Sequence, residues 1–199
     1  MKEDVPAWLG KVLHNVRAGH GKLTVAQIGD ESLLNKGGFA LSSAAFKDGE
    51  ELDPCFTADE EDAVAPPFEW TAPPPSAHEL VLIAEDPDAP GEEPFCHWLV
   101  WGLPAQKGQL LEGETPPRVG KNSLKNSEWA LPQPPIEDSA HDYVFQLFAL
   151  DLPLTVMPGA SRKKVIEEMK GHVVAVAVLT ATYAREPEDD DDWDEDELD

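Results

Sequence analysis

Cysteine is nearly absent from this chain: Cys55 and Cys96 are its only two, too few for a disulfide framework and unlike any zinc-ligand spacing. Long apolar runs are also missing. None approaches the roughly 20 residues of a membrane span, which argues against integral membrane association. The stretch from Met1 to Trp8 carries mixed charge and no apolar leader, so the expectation is a cytoplasmic protein with free thiols. Basic residues are scarce, with 15 Lys and Arg against 39 Asp and Glu and a net charge of −24. Nucleic acid is thereby disfavoured as a partner, because phosphate backbones are gripped by clustered Lys and Arg. No serine sits in a glycine elbow; Ser123, Ser127 and Ser139 all fall in loop sequence. No His-x-His or Glu-x-x-His pair offers a ready metal site.

The acid is unevenly spread. Residues 186 to 199 hold 11 acids and no base, leaving −13 on the rest of the chain. Self-repulsion predicts a disordered acidic tail over 185–199, with Trp193 and Leu198 as its apolar residues. At the other end, Trp8, Leu9, Val12, Leu13 and Val16 recur at helical spacing. Asp4 is placed to cap and Pro6 suits a first turn, which predicts an amphipathic helix over residues 5–17 within an N-terminal segment 1–21. Its apolar face is expected to dock on the domain's own core.

Between these ends lie short apolar runs broken by proline and glycine. Strands are predicted at Leu23–Ile28, Ala40–Phe46, Leu80–Ala84, His97–Leu103, Tyr143–Leu150 and His172–Tyr183. The last of these is apolar on both faces and reads as a central strand. A short helix is expected from the cap Ser161 to Gly171, packed on a sheet edge. Together these imply a mainly β domain, an antiparallel Greek-key β-sandwich with a few short peripheral helices.

Asp86 ends one apolar run, while His97 and His141 each open another. If the first two runs pair as antiparallel neighbours, these residues meet at one sheet rim. Alternation puts Leu80, Leu82, Ala84 and Asp86 on one face, and groups His97, Leu99 and Trp101, and His141, Tyr143 and Phe145, in the same way. Two imidazoles and the Tyr143 phenol can donate to an oxyanion, with Asp86 orienting one ring or accepting from an ammonium group. The residues alone leave three alternatives open. The histidines can be plain strand-end residues beside turn chemistry. Asp86, His97 and His141 can hold a metal as a facial triad. A hydrolase can use the same rim, although Cys96 should face away from its neighbour His97.

The ordered set Asp86-Pro87-Asp88-Ala89-Pro90, His97-Trp98, Gly120-Lys121-Asn122-Ser123, Pro134-Pro135 and His141-Asp142-Tyr143-Val144-Phe145 resembles the phosphatidylethanolamine-binding protein family. The nearest branch is the bacterial Raf-kinase-inhibitor-like one. Val64 to Trp70 and Gly171-His172-Val173 add to the likeness, which covers about residues 22–184. The resemblance implies a non-catalytic anion pocket of Asp86, His97, His141 and Tyr143, with Pro90 and Pro135 as walls and Asp88 bracing the loop. It implies a phosphorylated or carboxylated ligand such as phosphoethanolamine, a kinase or protease as a target to be inhibited, and no cofactor. A homodimer is left open, and a hydrolase or metalloenzyme at the same rim is the alternative. This chain departs from the pattern at Ile136-Glu137 after the paired prolines, at Trp129, where the family usually has Tyr, and at Phe95, often Trp there. Glu92, Glu93 and Glu137 make the surroundings acidic and favour cationic or zwitterionic ligands. A further hypothesis from the sequence is that the tail folds back and its carboxylates occupy the pocket as a tethered competitor, against which the domain's own −13 weighs.

Overall fold

A computed structural model of the chain describes residues 5–187. The expected Asp4 cap and most of the acidic tail lie outside the described residues. In chain order the elements are the helix α1 (Thr24–Ile28), the strands β1 (Leu41–Ser42), β2 (Phe68–Trp70), β3 (Glu79–Asp86), β4 (Phe95–Pro104), β5 (Gly108–Leu110), β6 (Arg118–Val119) and β7 (His141–Leu150), the helix α2 (Arg162–Met169) and the strand β8 (Val173–Tyr183). The strands form two antiparallel sheets, one ordered β6-β4-β3-β7-β8 and a smaller one ordered β1-β2-β5. The expected mainly β sandwich is what forms.

The small sheet lies over one face of the large one. Leu41, Phe68, Trp70 and Leu110 pack against Leu82, Ala84, Val100, Phe145 and Leu147. The Phe68 and Phe145 rings are 4.7 Å apart, centroid to centroid. The helical segments cover the opposite face, where Leu9, Leu13, Val25, Val165 and Met169 meet Val81, Ile83, Leu99, Trp101, Val144 and Phe148. Every residue of β3 and β7 is therefore buried, which is why these strands read as continuous apolar runs and not as alternating ones.

Five local expectations change. Residues 5–17 hold a 3-10 turn over Ala7–Lys11 and no longer helix, with Gly10 in its middle and no side-chain cap at Pro6. Leu9 and Leu13 still dock on the core. Leu23–Ile28 is not a strand but the helix α1, whose first amide groups are taken by distant side chains: Thr24 N–H donates to Glu85 Oε2 and Val25 N–H to Gln146 Oε1. Of Ala40–Phe46, only Leu41–Ser42 is strand. β8 is an edge strand and β3 is central. β8 reads as central because residues 33–52 cover its free edge, through Val176 N–H to Leu33 O, Asn35 N–H to Val176 O, Gly49 N–H to Thr180 O and Thr182 N–H to Glu50 O. The helix α2 is capped by Ser161 Oγ as expected, but it packs on the sheet's face.

Alternation along β4 is broken twice. Leu80 pairs with Leu103 and Leu82 with Val100, so β4 carries one extra residue near Gly102, which adopts a φ of 73°. Ala84 pairs with Trp98 and Glu85 with Cys96, so His97 is itself the extra residue of a second bulge. Leu99 and Trp101 consequently join the helix-side core, while His97 does not share their face.

Candidate functional site

β3 ends where β4 and β7 begin, and three rim residues converge there. Asp86, His97, His141 and Tyr143 line a cavity of about 480 Å³, with Ala89, Pro90, Phe95, Leu131, Pro134 and Pro135 among its walls. Six of the seven residues expected at the site thus meet around one space. The seventh, Asp88, stands behind the loop and does not line the cavity.

The bulge aims His97 at the rim, where its ring packs between Phe95 at 4.6 Å and Tyr143 at 5.2 Å. Cys96 points to the opposite face and is buried, and that burial pushes its thiol up to about 12. No group of three or more His, Cys, Asp or Glu side chains is placed to hold a metal among the described residues.

The two imidazoles differ in protonation. His97 Nδ1 lies 2.6 Å from the Ala130 carbonyl oxygen, which only accepts, so Nδ1 carries the proton. Burial holds this ring below the ordinary histidine pKa, outweighing the carbonyl's opposite pull. With Nδ1 donating to that carbonyl, the neutral ring has Nε2 as an acceptor, where two imidazole donors were expected. His141 is the reverse case. Its Nδ1 donates to Asp86 Oδ2 at 2.7 Å, and this bond raises the ring above its ordinary pKa. Its Nε2 faces Asp138 Oδ2 at 3.2 Å. An imidazole with a carboxylate at each nitrogen is built to be an imidazolium. Burial also pushes the Tyr143 phenol up, which keeps it a donor. Its hydroxyl has no hydrogen-bond partner among the described residues.

Asp86 is fixed by its own loop. Oδ1 accepts from the Asp88 and Ala89 amides at 2.7 and 3.1 Å, an Asx turn that closes Asp86 to Ala89. Asp88 then locks the loop from outside. Its carboxylate is gripped by both the Nε and an NH2 of Arg17 and accepts from the Asp142 amide at 2.8 Å. Burial alone raises an acid, but Arg17 outweighs it and holds Asp88 below the ordinary carboxylate range. Asp142, one residue after His141 and so on the other face, accepts from His20 Nε2 at 3.0 Å. Gly19 lies so close to this loop that a Cβ there would stand 2.3 Å from the Pro87 carbonyl oxygen. The segment before residue 22 is thus part of the site's frame.

Sequence reasoning missed Asp138 and misjudged which neighbouring acid matters. It named Glu137, yet Asp138 is the one in contact with His141. The available signal was an acid three residues ahead of a rim histidine.

A family model described as phosphatidylethanolamine-binding protein matches residues 42–184. The chain is 34% identical over 155 residues to a UPF0098 protein of Methanothermobacter thermautotrophicus, covering 73% of this chain and 98% of the relative. A UPF0098 protein of Aquifex aeolicus is 36% identical over 163 residues, 77% and 94% of the two chains. Among solved structures, a phosphatidylethanolamine-binding protein homologue from Chlamydia trachomatis superposes with a TM-score of 0.70 at 32% identity, over 74% of this chain and 98% of that one. The E. coli family member YbcL gives a TM-score of 0.68 over 74% and 99%, and at 23% identity it shows the fold alone. Sequence and fold agree over the segment that builds the rim, and the chain belongs to the phosphatidylethanolamine-binding protein family.

Proposed function

We propose that this chain is a non-catalytic binding module that takes a small phosphate- or carboxylate-bearing ligand at the sheet rim. The observation that carries this reading is His141, an imidazolium held by Asp86 at the wall of a largely apolar cavity. Charge-assisted hydrogen bonds to such a cation are about twice as strong as neutral ones. The Tyr143 hydroxyl adds a second donor, and His97 Nε2 accepts from a protonated phosphate oxygen or an ammonium group. Pro90 and Pro135 form the walls, and Asp88 holds the loop in shape. Turnover has little support, since the buried thiol of Cys96 lies on the other face and neither histidine is hydrogen-bonded to a serine among the described residues. Family membership extends the proposal to a kinase or protease as the protein that the module inhibits.

Titration calorimetry with phosphoethanolamine tests the pocket. Wild type is expected to bind, and His141→Ala to lose at least tenfold in affinity, about 1.4 kcal/mol. Equal affinities for the two proteins would remove His141 from the site and sink the reading.

A further inference from the structure

We infer that Asp138 is a tethered competitor for the anion seat of this pocket, which a ligand's phosphate or carboxylate must displace before it reaches His141. The inference rests on the pocket reading above and adds what selects among anions. His141 has two ring nitrogens. Nδ1 is engaged by Asp86, so Nε2 is the only N–H that the ring can offer a ligand. Asp138 Oδ2 already sits on that atom, at 3.2 Å.

The two carboxylates on this ring are held very differently. Asp86 is 4% exposed and receives three donors, two of them backbone amides. Asp138 is 49% exposed, and its carboxylate has no other hydrogen bond among the described residues. Its contact is longer than the 2.7–2.9 Å usual for a charge-assisted N–H···O bond. The tether is short and lies in a turn, with the Asp138 amide donating to Pro135 O at 3.1 Å. Asp86 is therefore a fixed part of the ring's support, and Asp138 is a movable clamp.

Charge decides what displaces the clamp. With Asp138 seated, Asp86, Asp138 and the imidazolium sum to −1, and a bare anion approaches a site of its own sign. Asp88 and Asp142 share the single guanidinium of Arg17, so they add to this negative balance and do not offset it. A zwitterion meets a different balance. Its anionic end takes over His141 Nε2, and its ammonium end offers the released Asp138 carboxylate a new partner. Asp138 thereby penalises inorganic phosphate more than phosphoethanolamine.

The test is a set of titrations at one pH and one low ionic strength, with inorganic phosphate and phosphoethanolamine as separate probes. Asp138→Asn and Asp138→Ala are expected to bind inorganic phosphate about tenfold tighter than wild type, the size of one weak charge-assisted contact removed. Their gain for phosphoethanolamine should be smaller, so the preference for the zwitterion narrows. Glu137→Gln, an adjacent acid off the ring, should shift both affinities less than twofold; unfolding midpoints equal to wild type exclude a folding effect. If His141→Ala abolishes phosphate binding while both Asp138 variants match wild type, the competitor is overturned and the pocket stands. If neither probe binds wild type or the Asp138 variants, the pocket and the competitor fall together.

Discussion

Glu85 and Asp86 are consecutive carboxylates on β3 that have opposite fates. Glu85 points to the helix side and is fully buried. Its oxygens accept from Thr24 N–H, Thr24 Oγ and Gln146 Nε2, each at 2.8 Å, and from Arg162 Nε. Those four donors come from α1, β7 and α2, so one carboxylate ties three elements to the central strand. Asp86 points to the other face and accepts from its own loop and from His141. Burial therefore does not separate the structural acid from the one at the candidate site. The open end of the network does: Glu85's acceptors are saturated by four donors, whereas Asp86's network runs through His141 to a cavity where Tyr143 O–H has no partner among the described residues.

The comparison breaks most visibly in stability. Glu85→Ala leaves Arg162 without its buried partner and two α1-side donors unmet. Removing one member of a buried ion pair costs about 3–5 kcal/mol. A fall in the urea midpoint of that order, with the slope unchanged, is expected, and pocket binding should persist wherever the variant is still folded. A wild-type midpoint would show that Glu85 is not the tie we describe. Asp86→Ala should invert the pattern, with ligand affinity lost and a smaller drop in midpoint.

A smaller effect is expected at the frame. Arg17 is 38% exposed, so its pairing with Asp88 is screened and contributes about 1 kcal/mol at most. Arg17→Ala is nonetheless expected to weaken phosphoethanolamine binding several-fold by releasing the loop that fixes Asp86. Unchanged binding in this variant would confine the segment before residue 22 to the core.

The sequence made the rim legible where periodicity and register coincide. Asp86 and His141 sit at strand ends in unbroken alternation with Ala84 and with Tyr143, so their convergence followed from spacing. His97 lines the cavity for a different reason than the spacing suggested. Alternation grouped it with Leu99 and Trp101, and only the bulge opposite Glu85 turns it to the other face. A bulge has no reliable single-residue signal. The helix α1 was hidden because its caps come from Glu85 and Gln146, 61 and 121 residues away. β8 was misplaced because the residues that bond to its edge, Leu33, Asn35, Gly49 and Glu50, lie outside every predicted strand. Asp138 was hidden because turn residues have no periodicity to say which one reaches back to the ring.

The smallest effects expected are the pH dependences of the two histidines, and they have opposite sign. His141 is raised above the ordinary value of about 6.5, first by its bond to Asp86. The stability it contributes is fully present below that value and is lost as pH rises through the folded-state pKa. His97 is lowered by burial, so its contribution is present above the ordinary value and is lost as pH falls through its own, lower pKa. Urea midpoints across this range should therefore fall off on both sides of a maximum. His141→Gln should flatten the alkaline limb alone, and His97→Gln the acid limb alone. In the proposed pocket anion affinity follows only the first ring, the one with a carboxylate at each nitrogen; it should decline as pH rises through the His141 pKa and be insensitive to His97→Gln in its pH profile. If His97→Gln instead removed the alkaline decline in affinity, the charges on the two rings would be exchanged, and the acceptor role given to His97 would be wrong.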